Sequence, residues 1–450
     1  MKPSCITSSF VDELDNIEEI STVISNLGKC SVPSPLMKKD YSCFVEDDDK
    51  VLLLASSRNV ARLCKKETVP SFELAGPRQN IYFDPSKTKC AIVTCGGLCP
   101  GINDVIRAIV MTLFYGYGVR NIFGIRFGLR GFIPSYGLEV MELTPDSVAR
   151  IHEYGGTILG SSRGPQPAEE IVDALERMNV SILFAIGGDG TFRASKTIVD
   201  EINKRGMKIS VIAIPKTIDN DIFLVSKTFG FDTAVQMACQ AIKSAHTEAI
   251  GAPNGVGLVK LMGRYSGFIA AAASIALREV NYCLIPESDF DLDGERGLLK
   301  ELERRLDQRG HAVIVAAEGA GQKFFEDQPK ETDASGNVKL GDIGKFLKQK
   351  IGEYFATLGK ETNIKYIDPS YIIRSVPANV DDSLYCGNLG QNAVHAAMAG
   401  KTDMMVSLWN DRYVHIPLES AILQRKKVNL KSRFWMSVLE STGQPSLKND

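Results

Sequence analysis

The sequence predicts an α/β protein built on mostly parallel sheets. From Cys90 onward, short apolar β-rich runs alternate with amphipathic helical stretches, and several of the runs end directly in a polar, glycine-bearing loop. The runs are Cys90–Cys95, Ser181–Ile186, Ile209–Ile214, Val256–Leu261, Tyr282–Ile285 and Ala312–Ala317. They are continuously apolar, as expected of strands buried on both faces of a parallel sheet. Between them, Val105, Ile109 and Leu113 recur at helical spacing, as do Val235, Ala238, Cys239, Ile242 and Ala245. The second helix follows Gly230, with Asp232 or Thr233 placed to cap it.

The chain has 450 residues, enough for two or three domains. Residues 1–88 carry Ser, Pro and charge clusters, including Glu46-Asp47-Asp48-Asp49-Lys50, with little periodicity; they read as an extension over a core, the acidic run as solvated surface. Gly230 marks a crossing between two α/β lobes. One spans 89–230 and about 373–415, the other 231–372, and residues 416–450 read as a peripheral tail.

Composition excludes several classes of function. The chain is 44% apolar and 24% charged, ordinary values for a globular protein. A net charge of −2 provides no general field for nucleic acid or an acidic membrane surface, so an anionic ligand must be held locally. The longest mainly apolar run, Gly267–Leu277, is too short to span a bilayer, and the N-terminus lacks the charged-then-apolar order of a signal peptide; a cytoplasmic protein is expected. Ten cysteines without a Cys-x-x-Cys pair argue for reduced thiols, with Cys95 and Cys99 as small apolar fillers.

Of the 39 glycines, 23 fall between Gly96 and Gly267, where backbone must approach something closely. Three loops there carry chemistry, each following a strand, where open α/β sheets bind ligands. The first, Gly96–Asn103, turns from strand to helix and suits an anion, although a plain tight turn explains it equally well. The second, Gly187-Gly188-Asp189-Gly190-Thr191, places a carboxylate among glycines, a pattern that suits Mg²⁺ and phosphoryl transfer without naming the acceptor. The third, Pro215-Lys216-Thr217-Ile218-Asp219-Asn220-Asp221, sets two carboxylates beside a lysine. One can take a proton from an attacking hydroxyl while the lysine supplies charge to the phosphoryl group.

Together with Met262-Gly263-Arg264, Gly155–Arg163, Ala317-Glu318-Gly319 and Asp368–Arg374, the second and third loops give a combination that resembles the 6-phosphofructokinase family, in its long ATP-dependent form, from about Cys90 to about Trp409. The resemblance implies two Rossmann-like three-layer lobes, the first binding ATP and the second fructose 6-phosphate. Asp219 would be the general base, with Asp221 and Lys216 beside it, and Arg264 and Thr217 would stabilise the transferring phosphoryl group. Gly97, Arg163, Gly188, Asp189, Gly190 and Thr191 would line the ATP side, with Asp189 at Mg²⁺. Thr217, Asp219, Met262, Gly263, Arg264, Glu318, Lys365, Tyr371 and Arg374 would hold the sugar phosphate. It also implies a glycolytic, allosteric enzyme that assembles as a homotetramer, with a dimer as the alternative.

Three departures from the family pattern matter. Where short bacterial enzymes draw two arginines from a neighbouring subunit, this chain has Gly255 and Lys365, with Asn254 as a replacement for the first contact. Tyr371 stands in place of a histidine. Pyrophosphate-dependent relatives carry Asp at the position of Gly190, which would fill the space of the nucleotide α-phosphate, so glycine favours ATP; Lys216, which those relatives also use, serves either donor. A pyrophosphate-dependent phosphofructokinase is the first alternative, and a non-catalytic regulatory subunit on the same fold is the second.

Overall fold

A computed structural model of the chain describes residues 20–39, 43–55, 60, 69–327, 331–332 and 338–449. Residues 1–19, on which the expectation about a signal peptide rests, lie outside the described residues.

Strands are labelled in chain order: β1 (Lys50–Leu52), β2 (Ser71–Leu74), β3 (Lys89–Thr94), β4 (Asn121–Ile125), β5 (Met141–Glu142), β6 (Ile182–Gly187), β7 (Ser210–Pro215), β8 (Gly255–Leu261), β9 (Tyr282–Leu284), β10 (His311–Ala317), β11 (Asn363–Ile367), β12 (Met404–Trp409) and β13 (Arg412–Pro417). The larger sheet runs β1-β2-β13-β12-β7-β6-β3-β4-β5. Its five central strands, β12 to β4, are parallel, and antiparallel strands flank them on both sides. The smaller sheet, β9-β10-β8-β11, is parallel throughout.

The continuously apolar runs are buried on both faces, and this is why they form parallel strands. In β6, Ile182, Phe184 and Ile186 pack in one core with Ile106 and Ile109 of the helix Ile102–Met111. On the opposite face Leu183 and Ala185 pack with Ile171, Leu175, Ile198 and Val199 of the helices Ala168–Arg177 and Asp189–Lys204. Burying such a side chain contributes about 1.5–3 kcal/mol, so these alternating faces specify both helical layers.

Strand order reverses in the larger sheet between β3 and β6: the chain passes from β3 outward to β4, then returns to β6 on the other side of β3. Such a reversal leaves a crevice beyond the strand ends. The loops Gly96–Asn103 and Gly187–Thr191 both open into it.

Two expectations about organisation need correction. The helix Phe231–Ile250 is not capped by Asp232 or Thr233. Its N-cap is Gly230, and the carboxylate of Asp382 accepts from the backbone N–H groups of Gly230 and Thr233, both at 2.8 Å. Nor are residues 416–450 a peripheral tail. The helix Arg433–Thr442 packs on Phe268–Leu277 with Phe434 against Phe268, and Leu447 enters the core of the second lobe. The apolar spacing of Trp435 and Val438 explains this docking, since both are buried there. The acidic run is exposed as expected, although Asp47 also meets Arg78 and Lys401, and β1 and β2 of the extension complete the sheet edge through β13.

Candidate active site

Loops at the carboxyl ends of six parallel strands supply most of the residues singled out in the sequence; Arg163 comes from the segment after the short helix Ile151–Glu153. The loop after β7 is fixed at its root by the Lys216 N–H donating to the Gly187 carbonyl at 2.9 Å, which ties it to the neighbouring strand β6. The Lys216 side chain is buried and its Nζ donates to the carbonyl oxygen of Gly97 at 2.7 Å, joining the first and third loops. Burial pushes its ammonium below the usual lysine range.

Thr217 Oγ1 accepts from the Asp219 N–H at 3.1 Å, and Ser266 Oγ donates to the Asp219 carbonyl at 3.1 Å. The Asp219 carboxylate is left with Oδ1 closed to solvent and without a hydrogen-bond partner among the described residues. Burial, then the charges of Asp221 and Glu318, push this carboxyl up to about 8, against the opposing pull of Arg374 and Lys216. Asp221 is raised by burial and by Asp189. Glu318 is raised by burial, opposed by Arg264, Lys260 and Arg374. A carboxylate held in this way is poised to accept a proton near neutral pH.

Arg374 and Arg163 converge on Gly97: a Cβ at Gly97 would stand 3.1 Å from Arg374 Nη1 and 3.5 Å from Arg163 Nη2. Burial and the nearby Arg163 depress the Arg374 guanidinium. Two guanidinium groups converging on one glycine suit an anion held beside them. Tyr371 is exposed, and the Arg374 guanidinium carbon lies 5.2 Å from its ring centroid.

Across the crevice, Met262 packs partly buried on the core. Gly263 has φ +133°, where a Cβ would stand 2.5 Å from the Ser266 carbonyl oxygen, so this turn requires glycine. The Gly319 N–H donates to the Gly263 carbonyl at 3.1 Å, which brings Glu318 alongside Arg264. The Arg264 guanidinium donates to the Val338 carbonyl.

On the other side, Gly188 caps the helix Asp189–Lys204, and Thr191 N–H returns to the Gly188 carbonyl at 2.8 Å. A Cβ at Gly190 would meet nothing within 4 Å, so the space beside it is open. Asp189 Oδ2 accepts from Arg425 Nε at 2.6 Å. The charge of Asp189 raises Asp221, whose charge in turn raises Asp219, and a divalent cation at Asp189 would offset this repulsion. Among the described residues no group of three His, Cys, Asp or Glu side chains is placed to hold a metal ion.

One residue stands apart from this cluster. Lys365 lies within β11, 3.8 Å from Glu248 at the far end of the helix Phe231–Ile250. Gly255 begins β8 where a Cβ would come 1.9 Å from the Ala249 carbonyl, so no arginine fits this backbone, and Asn254 Nδ2 donates to the Glu361 carbonyl. Sequence reasoning missed Arg425, Lys426 and Tyr265. Arg425 stacks 4.1 Å over the Tyr265 ring beside Arg264, and Lys426 is buried against Asn220. Their signal was the basic triplet Arg425-Lys426-Lys427 in a segment read as a tail.

Residues 89–397 match the family profile described as phosphofructokinase. The chain belongs to the phosphofructokinase family. Among similar relatives, an ATP-dependent 6-phosphofructokinase of Borreliella burgdorferi is 53% identical over 96% of this chain and 99% of its own length. One of Amycolatopsis methanolica is 47% identical over 93% and 94%. In fold, the chain resembles the pyrophosphate-dependent phosphofructokinase structure of Marinobacter aquaeolei, with a TM-score of 0.64 at 20% identity, covering 80% of this chain and 92% of that one. As in other phosphofructokinases, the α/β architecture has mostly parallel sheets. No helix among the described residues is long and apolar enough to cross a membrane.

Proposed function

We propose that this chain is an ATP-dependent 6-phosphofructokinase, transferring the γ-phosphoryl group of ATP to the 1-hydroxyl of fructose 6-phosphate to give fructose 1,6-bisphosphate and ADP. The observation that carries this reading is the buried Oδ1 of Asp219, without a hydrogen-bond partner among the described residues, on a carboxyl raised by burial and opposed by the charges of Arg374 and Lys216. Relatives at this identity bear the same activity in their names.

Asp219 takes the proton of the 1-hydroxyl as its oxygen attacks the γ-phosphorus, and the bond to the β–γ bridging oxygen breaks to release ADP. Lys216 and Arg264 offset charge on the transferring phosphoryl group, with Thr217 in the same turn. Glu318, Met262, Gly263, Tyr371 and Arg374 hold the sugar phosphate, Arg374 gripping the 6-phosphate with a planar fork. Gly97, Arg163, Gly188, Gly190 and Thr191 take the nucleotide. Asp189 would hold Mg²⁺, which when bound supplies charge neutralisation at the phosphates. Lys365 serves a neighbouring subunit's site in a cytoplasmic homotetramer, with a dimer as the alternative.

An aldolase-coupled assay with fructose 6-phosphate, run separately with ATP and pyrophosphate, tests the reading. Turnover with ATP alone is expected. Turnover with pyrophosphate alone would reassign the donor, and none with either would leave a regulatory subunit. Light scattering on the purified chain tests the assembly.

A further inference from the structure

The turn that carries the two aspartates is held from a distant part of the chain. Asn220 sits between Asp219 and Asp221 with φ +53°, in the left-handed region that asparagine tolerates and most residues avoid. Its Oδ1 accepts from the Thr228 N–H at 3.1 Å and from Lys426 Nζ at 2.9 Å. The same ammonium donates to the carbonyls of Val225 at 2.7 Å and Ser226 at 3.2 Å, so it holds three acceptors at once. The Lys426 N–H donates to the Asp221 carbonyl at 2.9 Å, and Arg425 and Ile222 form an antiparallel bridge.

Two residues further on, the chain reaches the other lobe. The Val428 N–H donates to Glu287 Oε1 at 2.8 Å, and the Glu287 carboxylate also accepts from the Gly267 N–H, at 3.1 Å and 3.0 Å from its two oxygens. Thus Arg425, Lys426 and Val428 link the catalytic turn to Glu287, which holds the start of a helix in the sugar-binding lobe. They lie beyond residues 89–397, the segment matched by the family profile.

We propose that Lys426 is a positioning residue for the phosphoryl transfer: by occupying Asn220 Oδ1 and the carbonyls of Val225 and Ser226, it fixes the left-handed turn that aims Asp219 and Asp221. Without the ammonium, these acceptors lose a shared donor in a place closed to water, and the turn is free to relax. A displacement of about 1 Å at a reacting group is enough to cost about 10²-fold in rate. This inference rests on the functional reading above.

The test compares wild-type full-length protein with Lys426→Met, Asn220→Gly and the double variant. Glycine keeps the left-handed backbone of residue 220 while deleting the acceptor. Three quantities are measured: kcat and KM with MgATP and fructose 6-phosphate, amide hydrogen exchange across residues 217–228, and thermal unfolding. Each single variant is expected to lose kcat by about 30- to 300-fold with KM within about threefold, and to exchange faster over 217–222. The double variant is expected to lose no more than the worse single, because both changes break one contact.

A folded Lys426→Met protein with kcat within about threefold of wild type would overturn the proposal, as would losses that multiply in the double variant. Should Lys426→Met fail to fold, Asn220→Gly decides by the same criterion. Wild-type protein inactive on fructose 6-phosphate would defeat the functional reading instead; the exchange comparison would then decide the positional claim, unchanged protection over 217–222 overturning it.

Discussion

Lys216 Nζ donates to the carbonyl oxygen of Gly97 at 2.7 Å, so a buried ammonium bridges the ends of two loops, one following β3 and the other β7. The contact aims positive charge into the crevice and holds the glycine loop that faces Arg163 and Arg374. Lys216→Met keeps most of the volume and removes the charge. It is expected to lower kcat by about 10²–10³-fold, the scale of losing one preorganised electrostatic partner. Steady-state kinetics beside a circular dichroism check would show this; kcat within about threefold would mean the lysine is only structural.

Asp219 predicts two effects. As general base, its replacement by serine should lower kcat by about 10²–10⁴-fold with a modest change in KM. Its raised carboxyl, at about 8 against an ordinary 3.8, also sets a sign for stability. The folded state favours the protonated form, so the contribution is fully present below about pH 4 and is lost as pH rises through about 8. Because Asp221 titrates with it, the observed midpoint belongs to the pair. Ligand-free Asp219→Asn should therefore gain melting temperature relative to wild type as pH is raised from 5 to 9. A gap that stays flat across this range would contradict the assignment.

Gly190 tests the donor. No atom lies within 4 Å of a Cβ placed there, and the residue is in the first turn of the helix Asp189–Lys204, where a carboxylate suits the positive helix end. Gly190→Asp is thus expected to fold with stability within about 1 kcal/mol of wild type while ATP use falls selectively. Normal ATP kinetics in that variant would remove the steric argument for ATP.

The extension is joined to the core by a buried ion cluster. Lys401 Nζ lies 2.9 Å from Glu73 Oε1, and His415 Nδ1 lies 3.0 Å from the same oxygen. Burial alone would raise Glu73, but the hydrogen bonds and charges of His415 and Lys401 outweigh it and hold the carboxyl down to about 2. Its stabilising contribution is present above about pH 4.5 and lost as pH falls through about 2. Lys401→Met leaves Glu73 with Arg78 at 2.9 Å and His415 at 3.0 Å, and is expected to cost about 1.5–3 kcal/mol in urea unfolding, the scale of one hydrogen bond between charged groups. A single-variant cost below about 0.5 kcal/mol would show that the cluster does not hold the extension.

The sequence by itself determined the α/β class, six of the parallel strands and the loops that carry Asp189, Lys216, Asp219, Arg264, Glu318 and Arg374. These are short-range properties: an apolar run buried on both faces and a polar loop directly after it are adjacent in the chain. Only the tertiary structure decided that Asp382 caps the helix after Gly230, that Glu73 meets Lys401, and that Arg425 and Lys426 reach Asp189 and Asn220. In each case the partners lie 152 to 328 residues apart, and a lone polar residue carries no periodicity that would name its partner. Burial of the β-strands brings them together, and the cost of leaving a buried charge or amide unpaired then selects the contact.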